Sequence, residues 1–311
     1  MLAFDVGGTD TKAALVDGEG RIVELLRIPT PHAGAATGEA VVTEIAGLAA
    51  RFAAEHPAVV PRAAGLLVPG HVDDAAGIGV FAENLGWRDF PFRARAEEAL
   101  GMPVSFSHDV RGAGEAEHRL GAATPYRDVV VMAIGTGIAG ALFLDGRLYT
   151  GGGLAGEMGH SRVADGPVCA CGGIGCLEAV ASAAAIARRY NAAAGADVPG
   201  AREVLQRAQQ GDPIARDVWE SALDALALDL SHTVALLAPE AIVIGGGLAQ
   251  AGPALFEPLA TKLDSILTFH RRPVLLPASI GENAGVIGAA LRARDLLVGS
   301  PAVAPQPEPA S

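Results

Sequence analysis

Two stretches of the chain share one pattern of apolar and polar positions. In each, an apolar run leads to a turn of glycine and threonine, a second apolar run, an Asp-Gly pair and a short third run. The pattern predicts a three-stranded antiparallel meander in each half of the chain. The first copy is Leu2–Val6, Gly7-Gly8-Thr9, residues 12–16, Asp17-Gly18 and residues 21–23, and the second is Val129–Ile134, Gly135-Thr136-Gly137, residues 141–144, Asp145-Gly146 and Arg147–Tyr149.

The intervals between these strands carry apolar residues at helical spacing, which predicts an α/β fold built from two related halves. We expect domains at residues 1–120 and 121–298, followed by a disordered tail at 299–311 that is rich in Pro and Ala. A further buried strand is expected at 241–244. The predicted helices are 38–55, 93–100, 111–120, 179–194, 201–210, 213–238 and 285–296.

Composition narrows the class of protein. Half of the 311 residues are hydrophobic and the formal net charge is −12, which is typical of a soluble globular protein. Because the chain has no basic block, we expect no nucleic-acid partner. It has no apolar stretch of membrane-spanning length and no signal-like start, so we expect a cytoplasmic protein without a membrane partner.

The two turns, Gly7-Gly8-Thr9 (the first glycine turn) and Gly135-Thr136-Gly137 (the second glycine turn), follow buried strands. Their main-chain N–H groups and threonine hydroxyls are suited to holding phosphate. The alternative is an ordinary hairpin turn, which the presence of two copies disfavours. Lys12 strengthens the phosphate interpretation because the chain has only two lysines. It would pair with phosphate or with Asp5, unless it is a solvated surface lysine.

Residues 135–140 also match the G-x-G-x-x-G pattern of dinucleotide-binding folds, with Glu157 near the expected acidic position. Such a turn must open a helix, whereas here a hairpin signal follows it. We therefore do not expect an NAD-dependent oxidoreductase. A G-x-x-x-x-G-K-[ST] loop is absent from the sequence, which excludes P-loop chemistry.

The three cysteines, Cys169, Cys171 and Cys176, are too few and too close for a secretory disulfide framework. With His160 they offer four ligands for a tetrahedral zinc ion, whereas buried inert thiols would be an unusual way to fill a core. Four protein ligands leave no open position, so the metal is expected to be structural. It would hold the flanking acids Glu157 and Glu178 in place.

Asp109 lies between a strand-like segment at 104–108 and the predicted helix from 111. A carboxylate at such a strand end suits proton abstraction from a substrate hydroxyl, although an aspartate in this position is more often a helix N-cap. Asn84, in the sequence Asn-Leu-Gly-Trp, is equally compatible with an ordinary turn.

Together these motifs resemble the ROK family of sugar kinases and sugar-responsive repressors over residues 5–294. That resemblance implies the two-lobed actin-like/ribonuclease H-like fold. It rests on Asp5-Val6-Gly7-Gly8-Thr9, Pro69-Gly70-His71-Val72-Asp73 leading to Asn84-Leu85-Gly86-Trp87, residues 135–140, and Glu157-x-x-His160 followed by Cys-x-Cys-Gly-x-x-Gly-Cys-x-Glu up to Glu178.

The resemblance implies ATP-dependent phosphorylation of a hexose, with Asp109 as the base that deprotonates the C6 hydroxyl and Mg²⁺ on the phosphates. One ring nitrogen of His160 would bind structural Zn²⁺ and the other would face the sugar. The implied sugar-binding residues are Asn84, Asp109, Glu157, His160 and Glu178, and we add His108 because it precedes Asp109. The implied nucleotide-binding residues are Gly7, Gly8, Thr9, Gly135, Thr136, Gly137, Gly245, Gly246 and Gly247, and we add Lys12 because it lies beside the first glycine turn.

The chain departs from the family pattern in two places. His108 stands where the family usually has Asn before the catalytic aspartate, which alters one sugar contact. Eight residues separate His160 from Cys169, one fewer than usual, and this spacing still allows tetrahedral ligation. Neither departure removes the expected base.

Repressors of this family carry a helix-turn-helix segment before the first glycine motif, whereas here that motif starts at residue 5. We therefore expect a glucokinase-like enzyme of sugar metabolism and glycolysis rather than a regulator. Glucose is chosen on family prevalence over fructose, allose or N-acetylmannosamine. The alternative from another class is a catalytically silent sugar-binding protein. A homodimer or homotetramer is the expected assembly.

Overall fold

The computed structural model describes residues 1–299, and residues 300–311 of the expected tail lie outside the described part. The described chain divides into two compact units. The first comprises Met1–Ala113 and the residues from Gly285 onward, and the second is Gly114–Ala284. The expected division was at residue 120, with the last helix in the second half. That helix instead packs within the first unit, as shown below.

The first unit is built on a mixed five-stranded sheet in the order β3-β2-β1-β4-β8. The predicted meander is confirmed, with β2 antiparallel to both β1 and β3, while β4 and β8 run parallel to β1. A smaller sheet has the order β5-β6-β7. The strands are β1 (Leu2–Val6), β2 (Asp10–Val16), β3 (Ile22–Pro29), β4 (Ala64–Val68), β5 (His71–Asp73), β6 (Ile78–Phe81), β7 (Arg88–Phe90) and β8 (Val104–His108).

Helices cover both faces of this sheet. Alternate residues of β1 point to opposite faces, so Leu2 and Phe4 join one apolar core and Ala3 joins another. A Cβ at Gly65 would lie 2.0 Å from the carbonyl oxygen of Ala289, so glycine permits the last helix to pack directly on β4. The helices are α1 (Thr37–Glu55), α2 (Phe92–Leu100), α3 (Asp109–Leu120), which continues into the second unit, and the last helix (Ala284–Val298).

The second unit repeats the plan with a sheet in the order β11-β10-β9-β12-β13. Its meander is also confirmed, and β12 runs parallel to β9 and β13. Val130, Met132 and Ile134 of β9 pack against the long helix α7 and its neighbours. The elements are β9 (Val129–Ile134), β10 (Ile138–Leu144), β11 (Arg147–Tyr149), α4 (Leu177–Ala181), α5 (Ala183–Ala194), α6 (Ala201–Gln209), α7 (Pro213–Leu237), β12 (Ala241–Gly245), α8 (Pro253–Ile266) and β13 (Val274–Pro277), and the last helix is α9.

One predicted helix is interrupted. The segment expected to form a single helix at 179–194 is divided at Ser182, which has extended backbone angles. The Ser182 hydroxyl accepts a hydrogen bond from the N–H of Ala185 at 3.1 Å and so caps the start of α5. Within residues 1–299, none of the helices is both long and apolar enough to cross a membrane.

Candidate functional site

The first glycine turn joins β1 to β2 in the first unit. The N–H of Gly7 donates to the carbonyl of Asp10 at 2.9 Å, and a Cβ at Gly7 would lie 2.8 Å from that same oxygen. The hydroxyl of Thr30 donates to the Gly7 carbonyl at 2.8 Å. His32 Nε2 lies 3.2 Å from the Gly8 carbonyl. The turn is therefore fixed by contacts to its carbonyl groups from the chain that follows β3.

Asn84 lies beside this turn. A Cβ at Gly8 would lie 3.0 Å from Asn84 Nδ2. Asn84 is exposed, and the neighbouring Leu85 and Trp87 are buried in the core of the unit, so they anchor the segment that carries the amide. The structure thus brings together Asn84 and the first glycine turn, which lie far apart in sequence.

Two carboxyl groups of the first unit, Asp5 and Asp109, influence each other. Burial, followed by the nearby negative charge of Asp109, raises the pKa of Asp5 to about 7, while Lys12, its partner across β1 and β2, acts in the opposite direction. A Cβ at Gly285 of α9 would lie 2.2 Å from Asp5 Oδ2, so glycine there makes room for the carboxyl group. Asp5, Lys12 and Asp109 form one electrostatic cluster.

Asp109 stands where the parallel strand β8 ends and α3 begins. Its Oδ1 accepts a hydrogen bond from the N–H of Val110 at 2.6 Å and lies 3.1 Å from His108 Nδ1. Because β1, β4 and β8 are parallel, their carboxyl ends meet at one edge of the sheet, next to the first glycine turn. The aspartate therefore contacts the first turn of its helix while lying at the edge where ligands of open α/β sheets bind.

The second glycine turn joins β9 to β10 in the second unit and is supported differently. The N–H of Gly135 donates to the Gly137 carbonyl at 2.9 Å. Glu178, which lies in the first turn of α4, accepts a hydrogen bond from the N–H of Ile138 at 2.9 Å through Oε2. A Cβ at Gly137 would lie 2.5 Å from that oxygen. A carboxylate therefore braces this turn from the side.

The third predicted glycine segment, Gly245, Gly246 and Gly247, begins at the last residue of β12. Gly246 has a φ of +80°, and a Cβ there would lie 2.5 Å from the carbonyl oxygen of Ile134. Ile134 immediately precedes the second glycine turn. The parallel strands β9 and β12 therefore present two glycine segments next to each other at one sheet edge, as a nucleotide site in this unit would require.

The predicted metal ligands converge in the second unit. The ligand atoms of His160, Cys169, Cys171 and Cys176 all lie within 4.8 Å of one another. His160 Nδ1 is 3.7 Å from Cys169 Sγ, and Cys171 Sγ is 3.7 Å from Cys176 Sγ. Ligands in a tetrahedral zinc site with Zn–S bonds of about 2.3 Å are separated by about 3.8 Å. The four side chains fit a zinc ion.

Electrostatics also favour a cation in this cluster. Burial, followed by hydrogen bonding with Cys171, raises the pKa of Cys176 to about 12, whereas the N–H of Gly173 lowers the pKa of Cys171. Three thiolates at this spacing need a compensating cation to remain ionised. The other ring nitrogen of His160, Nε2, lies 4.0 Å from Glu157 Oε2. The imidazole therefore has one nitrogen toward the sulfur atoms and one toward Glu157.

Three residues at or near the first glycine turn were not among the site residues predicted from the sequence. Asp5 carries a strongly perturbed pKa, and its signal was a single acid inside the apolar strand before the first glycine turn. Thr30 and His32 contact that turn from the end of β3, and nothing in their local sequence indicates it. Such contacts depend on the pairing of β2 with β3 and are visible only in three dimensions.

Comparison with known proteins supplies the context. The family model of the ROK family matches residues 1–295. A glucokinase from Streptomyces coelicolor is 32% identical over 94% of this chain and 97% of its own length. An N-acetylmannosamine kinase from Salmonella typhi is 33% identical over 94% of this chain and 98% of its own length.

A solved structure shares the fold. The ROK family glucokinase from Streptomyces griseus, crystallised in complex with glucose and AMPPNP, superposes with a TM-score of 0.81. It is 31% identical, and the match covers 95% of this chain and 99% of that one. The expected actin-like/ribonuclease H-like architecture is therefore confirmed by a neighbour that matches along nearly its whole length.

Proposed function

Because the chain belongs to the ROK family, we propose that it is an ATP-dependent hexose kinase that phosphorylates the C6 hydroxyl of glucose. The observation that carries the proposal is the position of Asp109. It follows the carboxyl end of β8, at the sheet edge that holds the first glycine turn, and its charge acts on Asp5. The Streptomyces coelicolor relative is a glucokinase, and the Streptomyces griseus neighbour holds glucose and a nucleotide analogue.

Asp109 is the general base in this proposal. Its carboxylate accepts the proton of the sugar hydroxyl as that oxygen attacks phosphorus. Two neighbouring carboxylates resist being ionised together, so the raised pKa of Asp5 leaves Asp5 protonated for part of the time at neutral pH. Asp109 is assigned as the proton acceptor because its negative charge is one of the causes that raise the pKa of Asp5. The Val110 N–H bonded to its Oδ1 fixes the orientation of the group.

The nucleotide is assigned to the glycine turns. Main-chain N–H groups of Gly8 and Thr9 in the first unit, and of Thr136 and Gly137 in the second, would hold phosphate oxygens, with the ammonium of Lys12 adding a positive charge. Gly245, Gly246 and Gly247 would lie against the adenosine. Mg²⁺, when bound with ATP, supplies neutralisation of the phosphate charge.

The sugar is assigned to hydrogen-bonding side chains. Hydroxyl groups donate well to carboxylates, and a site that pairs every hydroxyl rejects isomers by leaving buried polar groups without partners. The family usually has Asn at the position of His108, and an Asn side chain offers both an N–H donor and a carbonyl acceptor, whereas His108 would offer a ring nitrogen. We therefore expect His108 to affect which hexose is preferred. The assigned residues are Asn84, His108 and Asp109 in the first unit and Glu157, His160 and Glu178 in the second.

The cysteine cluster is assigned a structural zinc ion held by His160, Cys169, Cys171 and Cys176. The donor set and the spacing near 3.7 Å support zinc rather than magnesium or calcium, which prefer oxygen ligands. Ligation through Nδ1 would fix the tautomer of His160 and leave Nε2 available for a sugar hydroxyl. The ion thereby orders the segment that carries Glu157.

The proposal is tested by a coupled assay of ADP release with ATP and a panel of hexoses. We expect the highest kcat/KM with glucose, and mass spectrometry of the product should place the phosphate on O6. Fructose, allose and N-acetylmannosamine are included because one relative at 33% identity is an N-acetylmannosamine kinase. A higher kcat/KM for one of these would replace glucose as the substrate.

If no turnover is observed, a measurement of sugar binding shows whether the protein still recognises a hexose. If the zinc-loaded protein binds a hexose in calorimetry but releases no ADP with any sugar, the kinase proposal is overturned in favour of a silent sugar-binding protein. Contaminating kinase is excluded with the Asp109→Asn variant, purified in the same way, whose turnover should be at least about 100-fold lower than that of the wild type.

A further inference from the structure

A buried carboxyl group in the second unit has no role in the assignments above. Asp229 lies in the middle of α7 and is only 3% exposed. Its Oδ2 is buried and has no hydrogen-bond donor among residues 1–299. Isolated ionised carboxylates are costly in a protein interior, so such a group is expected either to hold its proton or to serve a specific contact.

The other oxygen, Oδ1, makes that contact with the hydroxyl of Ser161. A serine hydroxyl has one proton, and Ser161 Oγ also lies 2.9 Å from the carbonyl of Met158, which can only accept. When the serine proton points to that carbonyl, the contact with Asp229 needs a proton on the carboxyl group. Burial raises the pKa of Asp229, while Ser161 and the nearby His232 act in the opposite direction.

Ser161 connects the segment that ends at His160 with the start of α4. It follows the short 3₁₀ helix Met158–His160 directly, so its position is tied to that of His160. Its carbonyl accepts the N–H of Leu177 at 2.9 Å, one residue before Glu178. The next residue, Arg162, pairs with Cys176 in an isolated β-bridge. The Asp229 contact therefore anchors both segments that carry the second unit's assigned ligands to the rigid helix α7.

We propose that Asp229 is a positioning residue that fixes the segment of Glu157 and His160, and through Leu177 that of Glu178, by its hydrogen bond with Ser161. The inference rests on the proposed function for its sugar readout, but the contact itself is independent of the reaction. The hydrogen-bond partner of Asp229 is Ser161, which is neither an assigned sugar-binding residue nor an assigned metal ligand, so Asp229 acts through Ser161 in this proposal.

The test compares four variants of the full chain loaded with zinc. Asp229→Ala removes the carboxyl group, and Ser161→Ala removes the same bond with a smaller change of volume. Asp229→Asn keeps the shape and supplies an amide N–H for Ser161 Oγ. Ser231→Ala is the matched control, because it deletes a buried hydroxyl of the same helix whose hydrogen bond goes to the carbonyl of Leu228.

Two readouts are measured, the sugar KM with kcat, and the rate at which a chelator removes zinc. We expect Asp229→Ala and Ser161→Ala to raise the sugar KM about 10-fold and to speed zinc loss by a similar factor, since residues that orient ligands affect affinity on this scale. We expect kcat and the ATP KM to change by less than about twofold, because base and phosphate contacts are retained. Asp229→Asn and Ser231→Ala should resemble the wild type.

The proposal is overturned if Asp229→Ala and Ser161→Ala leave both readouts unchanged, or if Ser231→Ala produces the same shifts, since that would indicate a general effect of weakening α7. Failure of Asp229→Asn to restore the sugar KM would also count against it. If the wild type phosphorylates no hexose, the proposed function fails, and the rate of zinc loss still tests the positioning role.

Discussion

The two glycine turns have the same composition, two glycines and one threonine, and the same place in their sheets, yet the two units support them with different chemistry. The first is held through its carbonyl groups by Thr30 and His32 and lies at the sheet edge shared with Asp5 and Asp109. The second is braced by Glu178, whose segment continues into the cysteine cluster.

This difference shows that the same backbone arrangement can be combined with different side chains in the two units. A strand, a glycine turn and a second strand supply main-chain N–H groups in either unit, because that geometry depends only on glycine and on strand pairing. The residues next to the turn determine what else the unit does. In the first unit these residues are the carboxyl groups of Asp5 and Asp109. In the second unit the neighbouring residue is Glu178, which follows the cysteine cluster in the chain.

The largest expected effect is the loss of turnover when the proposed general base in the first unit is replaced. Asp109→Asn should lower kcat about 10²–10⁴-fold while leaving the sugar Kd nearly unchanged, because the amide keeps the shape but does not accept the proton. Steady-state kinetics and calorimetry measure the two quantities. Glu98→Gln, an equivalent change at an exposed position of α2, is the control. Near-normal turnover by the Asn variant would remove Asp109 from the mechanism.

The next effect should be confined to the second unit. Removing zinc with a chelator is expected to lower the free energy of unfolding by about 4 kcal/mol, the contribution of a ligand present at a thousand times its Kd. Hydrogen exchange should show lost protection at residues 157–178, while β1 and β2 stay protected. Metal analysis of the untreated protein should give one zinc per chain. A metal-free protein with unchanged exchange would contradict the structural role.

The smallest effect concerns the carboxyl pair of the first unit. Because the folded state raises the pKa of Asp5 from 3.8 to about 7, it binds a proton more tightly than the unfolded chain, and stability is lost as pH rises between these values. Asp5→Asn should remove this loss, on the order of 3 kcal/mol between pH 5 and pH 8. Urea unfolding at both pH values measures the difference.

The matched control for that measurement is Asp10→Asn. Asp10 lies in the neighbouring strand and pairs with Arg27 at 2.8 Å near the surface. Its removal should leave the wild-type dependence of stability on pH between pH 5 and pH 8 in place. An Asp5→Asn variant that lost stability with pH as steeply as the wild type would show that Asp5 does not titrate in this range.

Much of the fold followed from local signals. Both meanders were predicted from alternating apolar runs and turn residues, and strand pairing places them as expected. The break at Ser182 was not predicted, because apolar periodicity continues through it and a serine cap is only one of several roles open to that residue. The packing of α9 on β4 depends on Gly65 and Ala289, which lie more than half the chain apart.

The candidate site was predictable where its residues cluster in sequence. The cysteines and His160 carry their ligand chemistry within one short segment, and the spacing predicts the convergence that the structure has. The contacts of Thr30 with the first glycine turn, of Glu178 with Ile138 and of Asp229 with Ser161 involve residues separated by many positions. Local patterns carry no information about such pairs.

The sequence by itself determined the α/β class, the paired glycine turns, the four candidate metal ligands and the resemblance to the ROK family. Each of these depends on residue type and short spacing, which limit the backbone and the ligand chemistry directly. Only the tertiary structure decided that Asp5 titrates near neutral pH, that Glu178 braces a turn and that Asp229 lies buried against Ser161. Burial and distance between remote residues arise from packing the whole chain, so they are fixed only when the elements assemble.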